Sequence, residues 1–214
     1  MTSTEFILPS DLSLHGGSAK ALGEAARKFA EKHREVFDVV LYGSTVIGKP
    51  LPNDVDIMIL TRGRLHPAEG RSIVLEFKAE LKGILPGKRL DIRTIAIEDL
   101  FDPNNLASLG VVIEGFSLTR GKPLAELMNG EAYTLFRFTL RGMERKDRVR
   151  FQYALRGRDG KGGILKELDA LQLGAWVVLV PIGNTYRFKE FLDLWGVGYE
   201  AFTLLKGADL FYRL

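Results

Sequence analysis

The feature that most constrains this chain is a pair of aspartates at the start of a strongly apolar segment. Asp54 and Asp56 open the sequence DVDIMIL, residues 54–60. Side chains two positions apart on a strand project from the same side, so the pattern predicts a strand with both carboxylates on one face and Val55 and Ile57 on the other. Two carboxylates this close repel each other unless a proton or a cation lies between them. The pair therefore predicts a metal site at the start of a strand.

The flanking sequence predicts a sheet around this pair. Apolar periodicity predicts helices over residues 18–37 and 68–84, and strands over residues 38–42, 54–60 and 88–97. Asp91 lies in the last of these strands, between Leu90 and Ile92. If the strands of Asp56 and Asp91 pair, Asp91 can reach the same face and complete a cluster of three carboxylates.

A second motif overlaps this region and indicates a different chemistry. Gly43, Gly48 and Lys49 have the spacing of a phosphate-binding loop of the Walker A type. That loop needs a Ser or Thr after the lysine, as a magnesium ligand at the start of a helix. Here Pro50 follows Lys49, and a second proline, Pro52, is followed by the predicted strand. We therefore reject the Walker A interpretation.

Composition limits the remaining classes of protein. The chain has 214 residues, a hydrophobic fraction of 46% and no cysteine, which excludes disulfides and thiolate metal sites. No apolar run approaches the ~20 residues that span a bilayer, and the first residues lack a basic region before their apolar patch. We expect a cytoplasmic protein with no membrane partner. Scarce asparagine and glutamine beside plentiful Arg and Glu favour a thermophilic source.

Positive charge is concentrated in one segment. Residues 137–161 contain nine basic and three acidic side chains, a net +6, whereas the whole chain carries +3. A basic segment interleaved with aromatic residues is typical of a surface that binds a polyanion. The predicted contacts to nucleic-acid phosphates are Arg141, Arg145, Arg148 and Arg150. The alternative interpretation is an ordinary solvated helix face.

The second half of the chain has a pattern of its own. It predicts strands near residues 133–140, 175–182 and 199–205, and helices near 144–156, 164–170 and 185–195. We expect an α/β (α+β) protein with a first domain over residues 1–125 and a small α+β domain over 126–214, which binds substrate or nucleic acid.

Three segments together resemble the nucleotidyltransferase superfamily of DNA polymerase beta, and within it the minimal nucleotidyltransferases of prokaryotes. They are LYGSTVIGKPLPNDVDIMIL, LDIRTI and GVVIEGFSLTRGKP, and the resemblance covers residues 19–125. It implies a mixed sheet with flanking helices and transfer of a nucleotidyl group from an NTP, with ATP as the expected donor. It also implies Mg²⁺, or Mn²⁺, as the cofactor.

The resemblance implies roles for five residues. Asp54 and Asp56 would be metal ligands. Asp91 would be the third carboxylate of the metal site and would help to activate the attacking hydroxyl. Gly43 and Ser44 would contact the triphosphate.

The chain also departs from this family. Many members have a basic helix directly after Gly-Ser, whereas TVIGKPLP is apolar and contains prolines. Lys49 is then the nearby cation for phosphate, and a solvated loop lysine is the alternative. The acceptor stays open among an RNA or DNA hydroxyl, a protein or small molecule, and no acceptor at all if the domain is a binding module without turnover.

Overall fold

The computed structural model describes residues 16–50, 52–158 and 162–207. The chain divides into two compact units between Asn129 and Gly130. The sequence placed a boundary after residue 125, and the ends of its two domains, residues 1–15 and 208–214, lie outside the described residues. Each unit has its own sheet and its own apolar core, so the α/β (α+β) class is confirmed.

The first unit contains a mixed five-stranded sheet. Its strands are β1 (Val36–Tyr42), β2 (Asp54–Thr61), β3 (Arg89–Ala96), β4 (Phe116–Ser117) and β5 (Lys122–Pro123), in the order β3-β2-β1-β4-β5. β2 and β3 are parallel, and the other pairs are antiparallel. The helix between β2 and β3 supplies the crossover that a parallel pair requires.

Helices cover both faces of this sheet to different extents. They are α1 (Gly16–Lys32), α2 (Pro67–Leu81), α3 (Leu106–Glu114) and α4 (Leu124–Leu127). Phe29 of α1 and Phe77 of α2 pack with Ile57 on one face, in the main core. Val111 of α3 packs with Met58 on the other face.

The first helix ends earlier than its periodicity predicts. The pattern predicted a helix through Phe37, but α1 ends at Lys32 and β1 begins at Val36. The Val36 amide donates a hydrogen bond to the His33 carbonyl, which closes the turn between them. Val36 then pairs with Thr61 and is buried. Sheet pairing therefore decides the conformation of residues whose spacing also suits a helix.

The second unit is an antiparallel sheet with helices packed on one face. Its strands are β6 (Gly130–Phe138), β7 (Leu171–Gly174), β8 (Val177–Pro181) and β9 (Tyr199–Gly207), in the order β7-β8-β6-β9. Its helices are α5 (Arg145–Arg156), α6 (Ile164–Glu167) and α7 (Thr185–Leu194). Phe136, Phe151 and Phe188 form the centre of the core. The sequence did not predict β7, which has only four residues.

None of the helices in the described part of the chain is long and apolar enough to cross a membrane.

Candidate active site

The structure places three carboxylates on one face of the first sheet. Asp54 and Asp56 are half-buried at the start of β2, whereas Val55 and Ile57 are completely buried on the other face. The parallel register of β2 and β3 sets Asp91 directly opposite Asp56. The strands therefore pair as the sequence analysis required, and Asp91 shares the face of the other two.

The polar part of this face is confined to one end of the strands. Farther along, Met58, Leu60 and Ile95 are buried against Val111 of α3. Helix α3 covers the apolar part of this face, whereas Asp54 and Asp56 lie where β2 begins. The carboxylates are thus fixed to a rigid sheet, which positions a site more accurately than a loop does.

The surroundings of the Asp56 carboxyl disfavour its charged form. Burial raises the pKa of the Asp56 carboxyl, and the charges of Asp54 and Asp91 raise it further, against a smaller opposing effect of Arg93. A cation placed between Asp54 and Asp56 would relieve this repulsion.

Arg93 holds the third carboxylate. Arg93 lies two residues after Asp91 on β3, and it donates from Nε to Oδ1 at 3.2 Å and from Nη2 to Oδ2 at 2.9 Å. Both oxygens of Asp91 are therefore engaged in a fork, which fixes the plane of the carboxylate.

The described residues contain no preformed group of three or more His, Cys, Asp or Glu side chains that could hold a metal ion. Asp54 and Asp56 still suit a hard cation such as Mg²⁺ or Mn²⁺, because both offer carboxylate oxygens from the same face of one strand. Asp91 differs from them, since Arg93 already neutralises it.

Tyr42 is a member of this face that the sequence analysis missed. It ends β1 opposite Asp56, and burial raises the pKa of its hydroxyl, with a further contribution from the Asp56 charge. Arg93 was missed as well. Strand alternation could have found Arg93, because it has the parity of Asp91. Tyr42 is placed here by the pairing of β1 with β2.

A tight turn brings the end of β1 against the aspartates. Gly43 has a φ of +72°, and a β-carbon built on it would lie 2.7 Å from Oδ2 of Asp56. The Gly43 carbonyl accepts hydrogen bonds from the amides of Val46 and Ile47, at 3.0 and 3.2 Å. Only glycine combines this φ with this close approach.

The hydroxyls of the turn have no partner within the described part of the chain. Ser44 Oγ and Thr45 Oγ1 are both buried without a hydrogen bond. Thr45 is fully enclosed, whereas the Ser44 residue keeps some exposure. An unpaired buried hydroxyl costs free energy that a bound polar group can recover.

Lys49 closes the turn through its backbone. The Lys49 amide donates to the Ser44 carbonyl at 3.1 Å, and its side chain is half-buried. The next described residues, 52 and 53, lead into β2 and not into a helix. This geometry agrees with the rejection of a Walker A loop, whose lysine must open a helix.

A buried ion pair anchors the strand that carries the turn. Asp38 of β1 accepts hydrogen bonds from Ser117 Oγ at 2.8 and 2.9 Å and from Thr119 and Arg120. Asp38 is 1% exposed. The segment FSLTRG, which the resemblance singled out, therefore fastens the edge of the sheet to β1.

The four arginines predicted to bind nucleic acid have different surroundings. Arg148 donates from Nε to the Met143 carbonyl at 2.8 Å, and Arg141 precedes the helix. The outward face of α5, named here the α5 surface, carries exposed side chains at helical spacing: Arg145, Lys146, Val149, Arg150, Tyr153 and Arg156. The guanidinium of Arg158 lies 5.9 Å from the centre of the Tyr153 ring.

A cavity of about 890 Å³ opens along β3 and the start of α2. Arg93 lines it, and none of the three aspartates does. Arg93 therefore belongs both to the lining of this cavity and to the face that carries the carboxylates.

No protein-family model and no curated protein matches this chain. The functional assignment consequently depends on the residues of the site.

Proposed function

We propose that this chain is a metal-dependent nucleotidyltransferase that moves an NMP from an NTP, with ATP as the expected donor, to an acceptor hydroxyl. The observation that carries the proposal is the register that sets Asp91 opposite Asp56, two residues along β2 from Asp54 and beside the Gly43 turn. Carboxylates on adjacent strands, next to a turn that carries a buried hydroxyl, suit the transfer of a charged nucleotidyl group.

Asp54 and Asp56 would hold the cation, either Mg²⁺ or Mn²⁺. When bound, such an ion neutralises triphosphate charge and makes the α-phosphorus more electrophilic. The raised pKa of Asp56 agrees with this assignment, because burial of the carboxyl and then the negative charges of Asp54 and Asp91 disfavour its charged form.

The Gly43 turn supplies the groups for the triphosphate. The absence of a side chain at Gly43 lets the turn approach the carboxylates, and Ser44 Oγ has no hydrogen-bond partner in the described part of the chain. A hydroxyl and nearby backbone amides are suited to bind phosphate oxygens. Lys49 would add positive charge from the same loop.

Asp91 would accept the proton. The acceptor oxygen forms a bond to the α-phosphorus, the bond from this phosphorus to the pyrophosphate oxygen breaks, and the acceptor proton passes to Asp91. Arg93 would orient the Asp91 carboxylate towards that proton through its two hydrogen bonds.

A nucleic-acid hydroxyl is the acceptor that the chain's second unit favours. The α5 surface combines four exposed basic side chains with an exposed aromatic ring, Tyr153, which is 52% exposed. Basic side chains contact phosphates without regard to sequence, and an exposed ring can stack on a base. Of the arginines predicted to make such contacts, Arg145 and Arg150 belong to this surface.

Transfer with two positions of label tests the proposal. Protein is incubated with Mg²⁺ and NTP labelled at either the α- or the γ-phosphate, together with short RNA, short DNA or a cell extract. Nucleotidyl transfer moves the α-label alone to an acceptor, whereas a kinase would move the γ-label. The expected acceptor is RNA or DNA. Label on protein or on a small molecule would show that the acceptor belongs to that class instead. If no acceptor gained label, the chain would be a binding module without turnover.

The α5 surface is tested separately, by binding of a fluorescent single-stranded RNA. Replacing Lys146 and Arg150 by alanine should weaken binding and reduce its dependence on salt, because fewer counterions are released. Arg148→Ala is the control on the same helix, because its Nε donates to the Met143 carbonyl at 2.8 Å, whereas the contact of Arg150 with Asp147 is longer, at 3.4 Å. Equal losses in both variants would contradict the assignment of this surface.

A further inference from the structure

Among the described residues, the last strand has no partner along one of its sides. β9 pairs with β6 along its whole length and lies at the edge of the second sheet. Seven of its nine residues are exposed, and Phe202 keeps 57% of its surface accessible. A long edge strand with exposed apolar side chains is a template for pairing with another strand, and proteins usually block such an edge.

The sequence of β9 is complementary to itself when the strand runs antiparallel to a copy. With Thr203 opposite Thr203 of the second copy, Phe202 faces Leu204 and Glu200 faces Lys206. Directly opposite side chains lie on the same face of an antiparallel sheet, so this register joins apolar to apolar and acid to base.

Other registers lack this complementarity. Each side chain stays on its own face of the joined sheet only if the two-fold axis passes through a residue of β9. The nearest alternative registers are therefore centred on Phe202 and on Leu204. The first puts Glu200 against Leu204, and the second puts Phe202 against Lys206. Each leaves a charge opposite an apolar side chain.

Charges already paired within one chain extend the match. Arg137 of β6 contacts Glu200 at 2.6 Å, and Glu131 of β6 contacts Lys206 at 2.7 Å. Pairing centred on Thr203 would therefore align Arg137 and Glu200 with Lys206 and Glu131 of the second copy. These four side chains would form a row of charges of alternating sign across the joined sheets. The two-fold axis would generate a second, identical row.

We propose that β9 is a self-association surface, through which two copies of the chain join their second sheets into one continuous eight-stranded sheet. The contact is isologous, as expected for a two-fold dimer. Charge complementarity selects a second copy over an unrelated strand, because the residues that match Glu200 and Lys206 are Lys206 and Glu200 themselves. The proposal is independent of the nucleotidyl-transfer chemistry.

Single cysteines test the register. The chain has no cysteine of its own, so Thr203→Cys places one thiol on the proposed axis, opposite its copy at a distance that a disulfide can span. Leu205→Cys is the control on the same face of the same strand. Its two thiols would be offset by four residues, about 13 Å along the strands.

Thr203→Cys should form a covalent dimer under mild oxidation at least about tenfold faster than Leu205→Cys, consistent with the separation required for a disulfide. Equal rates would overturn the register, and no cross-linking of the full chain in either variant would overturn the dimer.

A charge experiment tests the same axis without oxidation. Thr203→Lys and Thr203→Asp should each sediment as monomers, because like charges would lie directly opposite each other. A mixture of the two variants should restore the dimer, since lysine then faces aspartate. Leu173→Lys, a substitution on β7 at the other edge of the sheet, should leave the wild-type dimer intact. A mixture that stays monomeric, beside a wild type that dimerises, would overturn the proposed axis, as would a wild type that is monomeric throughout a dilution series.

Discussion

Gly43 and Asp56 approach each other so closely that a β-carbon on the glycine would lie 2.7 Å from the carboxylate oxygen. The contact joins the turn that follows β1 to the proposed metal ligand on β2. It means that the conformation of the turn and the position of the carboxylate cannot vary independently. Substitution at Gly43 should therefore affect the site through Asp56.

Gly43→Ala is expected to abolish most transfer activity while leaving the protein folded. Alanine at a φ of +72° costs about 1 kcal/mol of stability, and its methyl group would displace the Asp56 carboxylate. Gly87→Ala is the matched control, because Gly87 has a φ of +75° and nothing within 4 Å of a β-carbon. Urea unfolding should show similar losses of stability in both variants, and the transfer rate should fall in Gly43→Ala alone. Equal activity in the two variants would contradict the role of the contact.

Asp56→Asn should raise the stability of the protein at neutral pH. Because the folded state raises the pKa of Asp56, the native protein holds this proton to a higher pH than the unfolded chain does. The free energy of unfolding therefore falls as the pH rises from the ordinary carboxyl range through the raised pKa. Asparagine carries no such charge and avoids this loss.

The measurement is the melting temperature of both proteins from about pH 4 to pH 8, a range that starts near the ordinary carboxyl pKa. The advantage of Asp56→Asn should grow as the pH rises. Mg²⁺ should raise the melting temperature of the wild type only, because binding to the native state stabilises it. A variant that is less stable than the wild type at neutral pH would argue against uncompensated charge at this site.

Arg93→Gln should slow transfer with little change in stability. The pair of Arg93 with Asp91 is largely exposed, at 63% and 38%, and such pairs contribute less than about 1 kcal/mol. A misoriented Asp91 could still reduce the rate up to about a hundredfold. Arg64→Gln removes a comparable exposed pair, with Asp99, and serves as the control. Steady-state kinetics should show a lower kcat for Arg93→Gln and unchanged Mg²⁺ dependence, and a loss of Mg²⁺ affinity instead would identify Asp91 as a metal ligand.

Arg120→Ala should destabilise the first unit strongly. Asp38 would remain buried after losing its cationic partner. Breaking a buried pair costs several kcal/mol, and we expect about 2 kcal/mol here because Arg120 is partly exposed and Ser117 still donates to Asp38. Lys122→Ala, which removes an exposed pair with Glu126, should cost less than about 0.5 kcal/mol. Similar unfolding free energies in the two variants would show that the hydroxyls alone satisfy Asp38.

Strand alternation predicted the part of the site that lies on β2. The parity of residues 54–57 separates two half-exposed aspartates from two buried apolar residues, and the structure has them on those faces. The pairing of Asp56 with Asp91 required one further assumption, that the two strands are neighbours. The same parity rule would have included Arg93, whereas Tyr42 reaches this face through the pairing of β1 with β2.

Other features depend on contacts between remote segments. The Gly43 approach to Asp56 is set by the pairing of β1 with β2, which sequence spacing does not determine. The end of α1 was mispredicted because Val36 fits both a helical stripe and a strand. The fork of Arg93 on Asp91 requires side-chain geometry. Each of these features is therefore visible only after the sheet is assembled.

The most direct test of the central claim is the transfer of α-labelled NTP in Mg²⁺ by wild type and by Asp54→Asn/Asp56→Asn, with folding of both verified by circular dichroism. The account predicts transfer by the wild type and at least a hundredfold loss in the variant, roughly the effect of removing a group that stabilises transition-state charge. Equal transfer by both proteins, or none by the folded wild type with any acceptor, would contradict it.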